Sequence, residues 1–286
     1  MKKITFLVLL VALMVGVFAS TNLVNRAVQA AVDYCNPVVV TEEDIVRQAE
    51  NTPPTNEWVL YTRAAGNGAF RTGPATPPLG VGSLELVTPT GADKVTLFNF
   101  EHVGTQLDAI NKMGYSTYRT AGSAQQVTAI NLQVDINGDA PGGFTTLVYE
   151  PVYNGTVQSG VWQTWDAYNG GNAIWWSSNP INVAPNRDTF VTWQTIVDAN
   201  PDAVIIGGFG LNQGSGNPAL TTASDALYIG YGTGENAECY TYNFEPYRTA
   251  TTQEGCKNGG WKTLKRADGS SFKNQGDCIQ YVNTGK

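Results

Sequence analysis

The sequence predicts an all-β protein with about ten strands arranged as a sandwich or a barrel. Charged residues make up only 14% of the chain, against about 25% in a typical soluble domain, and 31 of the 286 residues are glycine. Short apolar segments recur between turn sequences such as NGDAPGG and NQGSGNP. Segments with helical periodicity are few and short, so none could cover a sheet as in a βαβ protein.

The clearest strand is VTAINLQVDI at 127–136, where apolar residues alternate with Asn131, Gln133 and Asp135. This period of two predicts a strand with one buried face. Further strands are predicted at 58–63, 83–89, 94–100, 115–120, 144–153, 160–167, 203–213, 225–231 and 239–245.

Three segments have weak helical signals. TEEDIVRQ at 41–48 has Thr41 as an N-cap with Asp44 three residues later, a variant of the capping box. VGTQLDAINKM at 103–113 predicts a short helix over a sheet edge, and TWQTIVDANP at 192–201 predicts one or two turns ended by a proline.

The chain opens MKKITFLVLLVALMVGVFAS, in which two lysines precede an almost unbroken apolar run from Ile4 to Ala19. This run is shorter than the roughly 20 residues of a membrane span and predicts a secretory signal peptide at 1–30. Cleavage after Ala30 is preferred, because a polar stretch precedes it. Cleavage after Ala19 and an uncleaved anchor are the alternatives. The mature protein is expected to be soluble, and secreted or held at the cell surface.

Charge divides the remaining chain into a predicted β-sandwich domain at 31–247 and a basic C-terminal module at 248–286. The first has 7 Lys/Arg and 21 Asp/Glu, a net charge of −14, and the second has 7 and 3, a net charge of +4. The acidic body makes nucleic acid an unexpected partner. The module fits either a solvated segment with scattered lysines, which we favour, or a contact for an anionic wall polymer.

Four cysteines, Cys35, Cys239, Cys256 and Cys278, form an even set in a chain expected to be exported, and they predict two disulfides. Four cysteines allow three connectivities. Spacing favours a local bridge between Cys256 and Cys278, which leaves Cys35 to pair with Cys239. Zinc is the rival interpretation, but no CxxC occurs and the single histidine, His102, is expected at the surface.

Several long motifs carry a resemblance: GGFTTLVYEPVYNG, GVWQTWDAYNGGNAIWWSS, IIGGFGLNQGSGNPALT and YNFEPYRT…CKNGGWKTL…FKNQGDCIQYV. They resemble a recurrent group of exported bacterial proteins without an established activity. The Gly-punctuated strands resemble jelly-roll domains of the concanavalin and laminin-G type, many of which bind glycans and some of which hydrolyse them. The resemblance implies a jelly-roll-like antiparallel β-sandwich, followed by a small disulfide-closed module of the kind appended to many exported proteins.

Four of the seven tryptophans lie between 162 and 176. A hairpin turning at Asn169-Gly170-Gly171 would give each sheet face one tryptophan from each arm. One face would then pack in the core and the other would present an aromatic pair to a sugar. The contact residues predicted for a carbohydrate are Trp165, Asp166, Tyr168, Asn172 and Trp175. The alternative is that all four tryptophans are large core side chains.

Two further motifs carry side chains that suit metal binding or catalysis. Asp135, Asn137 and Asp139 present oxygen ligands around a glycine turn, which suits a structural calcium ion or simple turn chemistry. Glu150 in LVYEPVY is the best candidate for a catalytic acid, because burial would raise its pKa. A glycosidase needs a second carboxylate, which the sequence does not place beside it, and the Glu-x-Asp-x-x-Glu motif of laminarinase-like hydrolases is absent.

The sequence therefore favours a non-catalytic binding protein whose ligand is a glycan or another cell-surface polymer, with calcium as the one cofactor considered. A structural or cell-surface component without a sugar site is the second hypothesis. A glycoside hydrolase using Glu150 is the third.

Overall fold

The computed structural model describes residues 35–138 and 142–286, which form two β-sheets packed as a sandwich and a short helical C-terminal segment. The prediction of an all-β sandwich is confirmed. The predicted signal peptide at 1–30 and the predicted calcium ligand Asp139 lie outside the described residues. The predicted division of the chain after residue 247 stays a prediction.

The described residues contain fifteen strands and three α-helices, besides loops and short 3₁₀ turns. The strands are β1 (Pro37–Val40), β2 (Ile45–Ala49), β3 (Trp58–Arg63), β4 (Asn67–Thr72), β5 (Gly82–Thr88), β6 (Lys94–Asn99), β7 (Ile110–Ala121), β8 (Ala129–Asp135), β9 (Phe144–Tyr149), β10 (Trp162–Asp166), β11 (Ile174–Ser177), β12 (Val191–Thr192), β13 (Val204–Gln213), β14 (Leu220–Tyr231) and β15 (Glu238–Phe244). The helices are α1 (Trp193–Ala199), α2 (Gln253–Cys256) and α3 (Gln275–Thr284).

The larger sheet has eight strands in the order β12-β11-β9-β8-β13-β6-β3-β2. The smaller sheet has the order β1-β15-β14-β5-β4, with β7 also beside β14 and β10 beside β7. The core lies between the two inner faces. The alternation predicted for β8 is confirmed, because Ile130, Leu132 and Val134 are completely buried in this core. Burying each such side chain stabilises the fold by about 1.5–3 kcal/mol.

Both predicted disulfides form, Cys35–Cys239 and Cys256–Cys278. The first explains why the sheets are not antiparallel throughout. Cys35 lies two residues before Pro37, and Cys239 lies two residues before Thr241, which is the partner of Pro37. Both chains leave the disulfide in the same direction, so β1 and β15 pair in parallel. The β2–β3 pair is also parallel.

The prediction of a helix at 41–48 is wrong, although the predicted N-cap is confirmed. Thr41 and Asp44 form the capping box, but the helix is one 3₁₀ turn, Glu42–Asp44, and the chain then enters β2. An isolated helix of eight residues is marginal in water, whereas β2 gains the backbone hydrogen bonds of its pairing with β3.

The other two helix predictions have opposite outcomes. The helix predicted at 103–113 reduces to a 3₁₀ turn, Leu107–Ala109, because the residues after it join β7 and pair with β14. The helix predicted at 192–201 is confirmed as α1, which Thr192 caps by accepting a hydrogen bond from the amide of Thr195.

A loop at 73–81 crosses the outer face of the smaller sheet. The amide of Gly73 donates to the carbonyl of Val81 at 2.9 Å, which closes the loop. Two buried carboxylates hold it down. Asp225 accepts from the amide of Leu79 at 2.9 Å, and Glu245 accepts from the amide of Val81 at 2.9 Å.

The C-terminal segment has a small apolar cluster of its own, built on Ala250, Phe272 and the Cys256–Cys278 disulfide. Helix α3 begins at an Asn274 N-cap and ends at Gly285, whose positive φ of 71° suits glycine. Arg248 joins the segment to the sandwich by an ion pair of 2.5 Å with Asp44.

Candidate functional site

The hairpin predicted across Asn169-Gly170-Gly171 is wrong. Strand β10 pairs with β7 in the smaller sheet, whereas β11 pairs with β9 and β12 in the larger sheet. The chain crosses from one sheet to the other at this turn, because both strands have an apolar inner face that the sandwich buries. Tryptophans from the two arms therefore cannot form one exposed pair.

Two of the predicted sugar contacts, Trp165 and Trp175, lie in the core. Trp165 is 7% exposed and its Nε1 donates to the hydroxyl of Thr117 at 2.8 Å. Trp175 is fully buried and its Nε1 donates to the carbonyl of Ala167 at 3.0 Å. With their indole N–H groups satisfied inside the protein, both rings serve the packing of the sandwich.

The remaining predicted contacts build the turn between β10 and β11. The carboxylate of Asp166 accepts from the amides of Tyr168 at 3.0 Å and Asn169 at 2.6 Å. Asn172 is exposed, and its side-chain amide donates to the carbonyl of Asn169 at 3.2 Å. Tyr168 packs partly against the core. The structure therefore does not bring the five predicted residues together as one exposed patch.

The other two tryptophans lie on opposite outer faces of the sandwich, and each is half-buried. Trp162 of β10 donates through Nε1 to the carbonyl of Pro74 at 2.9 Å, within the loop over the smaller sheet. Trp176 of β11 donates through Nε1 to Oε2 of Glu150 at 3.0 Å, on the larger sheet.

An exposed aromatic surface lies beside Trp176. Tyr153 is 47% exposed and Phe190 is 40% exposed, and their ring centroids are 4.2 Å apart with planes inclined at 42°. Trp175 pairs with Val191, so the next step of this antiparallel register places Phe190 beside Trp176. We term Tyr153, Trp176 and Phe190 the aromatic ledge.

Local hydrogen bonds hold the ledge in place. Pro151 begins a 3₁₀ turn, Pro151–Tyr153, which carries Tyr153 out of the end of β9. The side chain of Asn154 then clamps this turn to β11. Its amide donates to the carbonyl of Ile174 at 3.0 Å, and its oxygen accepts from the amide of Ile174 at 2.7 Å. The ledge is thus fixed to the sheet before any ligand binds.

Glu150 supplies a carboxylate at the base of the ledge. Burial raises the pKa of Glu150, and the hydrogen bond from Trp176 opposes that rise. Burial, Glu150 and Asp188 together raise the pKa of the Tyr153 phenol. A hydrogen-bond acceptor below exposed aromatic rings suits a pyranose, whose CH groups contact ring faces while its hydroxyls donate to carboxylates.

A groove lies on the same outer face of the larger sheet as the ledge. It has a volume of about 430 Å³ and lies beside the loop at 50–54, with Tyr61 and Phe98 on its floor. Strand pairing places Trp176 and Phe98 in one transverse row, four strand spacings or about 20 Å apart. Tyr61 is only 8% exposed and Phe98 only 7%, so the ledge offers far more aromatic surface.

The predicted calcium loop is described only in part. Oδ1 of Asp135 accepts from the amide of Asn137 at 2.8 Å, which is the turn chemistry expected of this motif. Among residues 35–138 and 142–286, no three His, Cys, Asp or Glu side chains are grouped so as to hold a metal ion. Calcium binding by Asp135, Asn137 and Asp139 stays a prediction.

His102 is not the surface residue that the sequence predicts. It is 1% exposed, because the loop after β6 folds over the end of the sandwich. Its Nε2 lies 2.9 Å from the hydroxyl of Tyr242, and its Nδ1 lies 3.4 Å from that of Tyr231. Burial lowers the pKa of His102 to about 4, which leaves the ring neutral at pH 7. No serine nucleophile is hydrogen-bonded to it in the described part of the chain.

No pattern in the sequence predicts the ledge, because Tyr153 and Phe190 lie in short irregular segments without periodicity. The sequence does indicate where Trp176 lies. It follows Trp175 directly, and neighbouring residues of a strand face opposite sides of the sheet. The chain matches no known protein family, no curated protein and no solved structure. The resemblance to exported bacterial proteins and to concanavalin-like domains stays a prediction.

Proposed function

We propose that this protein is a non-catalytic carbohydrate-binding protein that acts outside the cell, and that the aromatic ledge contacts the sugar. The observation that carries the proposal is the Tyr153–Phe190 pair, two rings 4.2 Å apart that are both 40% or more exposed. Exposed aromatic pairs beside a carboxylate are typical of ligand sites. The proposed sugar contact is thus the ledge, and not the predicted patch around Trp165 and Trp175.

Charge favours a neutral glycan at the ledge. Residues 31–247 carry a net charge of −14, and Glu150 and Asp188 lie close enough to affect Tyr153. Uronic acid or sulfate groups would be repelled there. The uncharged hydroxyls of a neutral hexose would instead donate to the Glu150 carboxylate.

Two features support a location outside the cell. Both disulfides form, and structural disulfides persist in oxidising compartments. The predicted signal peptide at 1–30 would direct the chain to such a compartment. None of the helices in the described residues is long and apolar enough to cross a membrane.

The test is binding of the exported, oxidised protein to a broad panel of neutral glycans. Wild type is compared with Tyr153→Ala and Phe190→Ala, and with Phe144→Ala as the matched control. Phe144 is 47% exposed but lies at the opposite end of β9 from the ledge. We expect each ledge substitution to raise Kd about tenfold, corresponding to about 1.4 kcal/mol, and the control to leave Kd unchanged.

Equal binding by wild type and both ledge variants would overturn the assignment of the site. If the folded protein binds no neutral glycan, the structural or cell-surface component without a sugar site becomes the favoured function.

A glycoside hydrolase, the third hypothesis, is also a candidate, because a half-buried carboxyl with a raised pKa lies at the base of the ledge. Such a group is suited to act as a general acid. Incubation of the same glycan panel with wild type and Glu150→Gln would separate the two functions. Cleavage lost in Glu150→Gln would establish hydrolysis, whereas binding without cleavage would support the non-catalytic function.

A further inference from the structure

The C-terminal segment carries basic side chains that its own acidic residues do not neutralise. Residues 248–286 contain seven Lys/Arg and three Asp/Glu. Three of the cations form ion pairs: Arg248 with Asp44, Lys257 with Glu254 and Arg266 with Asp277. Within the described part of the chain, the other four, Lys262, Lys265, Lys273 and the C-terminal Lys286, form no ion pair within 4 Å. The first three lie close together in the sequence.

These three lysines lie on two short stretches of chain that one backbone bridge joins. Lys265 pairs with Ser271 in an antiparallel bridge, and its Nζ donates to the Ser271 hydroxyl at 2.8 Å. Lys262 lies three residues before Lys265, and Lys273 lies two residues after Ser271. Phe272 is buried in the segment's apolar cluster, whereas Lys262 and Lys273 are exposed.

An aromatic ring lies among the lysines. Trp261 is half-buried, and Nζ of Lys262 lies 5.9 Å from the centroid of its ring. We term Trp261, Lys262, Lys265 and Lys273 the basic face. A sugar ring can stack on an indole, while ammonium groups attract carboxylate, sulfate or phosphate groups. The combination fits a sugar polymer that carries acid groups.

We propose that the basic face binds an anionic polysaccharide. This inference goes beyond the neutral-glycan site of the ledge and involves a different part of the chain. The net charge of −14 on residues 31–247 repels a polyanion, so the contact is confined to the C-terminal segment. With only three lysines on the basic face, the interaction is weak and falls steeply as salt is added.

The experiment measures binding of the exported, oxidised protein to immobilised polygalacturonate and heparin at about 50 mM and about 200 mM salt. Wild type is compared with a triple variant, Lys262→Gln/Lys265→Gln/Lys273→Gln. Lys257→Gln is the matched control, because it removes a cation of the same segment that is already paired with Glu254. Near-ultraviolet circular dichroism verifies that each variant is folded.

We expect wild type and Lys257→Gln to bind both polymers at low salt, with log Kd rising by about two to three per decade of salt. The triple variant should lose both the binding and the salt dependence. Trp261→Ala should weaken binding while leaving the salt slope unchanged, because the indole contributes no charge.

Three outcomes would overturn the proposal. The first is that wild type binds neither immobilised polymer at low salt, and the second is that the triple variant binds as tightly as wild type. The third is that wild type binds double-stranded DNA and anionic vesicles as tightly as the polysaccharides. Tyr153→Ala keeps the two sites distinguishable. If that variant loses neutral-glycan binding and retains polygalacturonate binding, the two sites are separate. A negative result for one site then does not overturn the proposal for the other.

Discussion

The indole Nε1 of Trp176 donates a 3.0 Å hydrogen bond to Oε2 of Glu150, and this contact joins the end of β9 to the neighbouring strand β11. Tyr153 follows β9 and Phe190 lies beside β11, and the centroids of their exposed rings are 4.2 Å apart. This hydrogen bond opposes the larger effect of burial on the pKa of Glu150, and it holds the Trp176 indole against the carboxyl.

Replacement of Trp176 by Phe tests the electrostatic half of this relationship. The hydrogen bond from Trp176 lowers the pKa of Glu150, while burial raises it. Trp176→Phe keeps most of the burial and removes the donor, so we expect Glu150 to titrate at a higher pH than in wild type. Carbon-13 NMR of the side-chain carboxyl measures this directly. A pKa that stays the same or falls would show that the hydrogen bond has no such effect.

The difference between buried and exposed aromatics predicts a difference in stability. Trp175 is fully buried in the core, and its replacement by Ala should lower the free energy of unfolding by about 3–5 kcal/mol. Phe190 is 40% exposed, so Phe190→Ala should lower it by about 1 kcal/mol or less. Urea unfolding followed by tryptophan fluorescence measures both, with Phe144→Ala as a second exposed control. Similar losses for Trp175→Ala and Phe190→Ala would contradict this assignment of core and surface.

The loop at 73–81 predicts a pH dependence of stability. Burial raises the pKa of Asp225 to about 7, against 3.8 for an ordinary aspartate. The folded state therefore binds this proton more tightly than the unfolded state. The resulting stabilisation is complete below about pH 4 and is lost as the pH rises through about 7.

Asp225→Asn removes this titration, so the free energy of unfolding of the variant should decline less between pH 4 and pH 7 than that of wild type. Asp268→Asn is the control, since Asp268 is exposed. Guanidinium unfolding at several pH values gives both curves. Parallel curves for wild type and Asp225→Asn would remove Asp225 as the source of the pH dependence.

The fold of the C-terminal segment is expected to depend on the Cys256–Cys278 disulfide. It closes a loop of 22 residues, which constrains the unfolded chain by about 3 kcal/mol. The segment has only a small apolar cluster besides, so Cys256→Ala/Cys278→Ala should unfold it while the sandwich persists. Limited proteolysis should then cut within 248–286, and binding to polygalacturonate should disappear. Proteolysis spread over the whole chain would instead mean that sandwich and segment unfold together.

The sequence predicted those parts of the fold whose pattern repeats within one strand. Ile130, Leu132 and Val134 alternate cleanly, and β8 follows within two residues of the predicted ends. The sequence pattern does not predict β4, because one of its inward positions is Gly68. A Cβ there would lie 2.9 Å from Cδ1 of Leu60, so a larger residue would require the Leu60 side chain to shift.

The candidate site was less predictable, because it depends on which sheet each strand joins. Strand parity separates Trp175 from Trp176, but pairing partners alone decide that β10 and β11 belong to different sheets. Tyr153 and Phe190 lie 37 positions apart in the sequence and meet only through the packing of β11 against its neighbours. No local pattern reports such a contact.

The parallel pairing of β1 with β15 constrains the order in which the chain can fold. Pro37 lies in the first strand of the described residues, yet its partner Thr241 follows more than 200 residues later, next to a disulfide whose cysteines are 204 positions apart. Contacts so distant in sequence form slowly, because a very long loop must close first. The smaller sheet therefore keeps an unpaired edge until almost the whole chain has been synthesised.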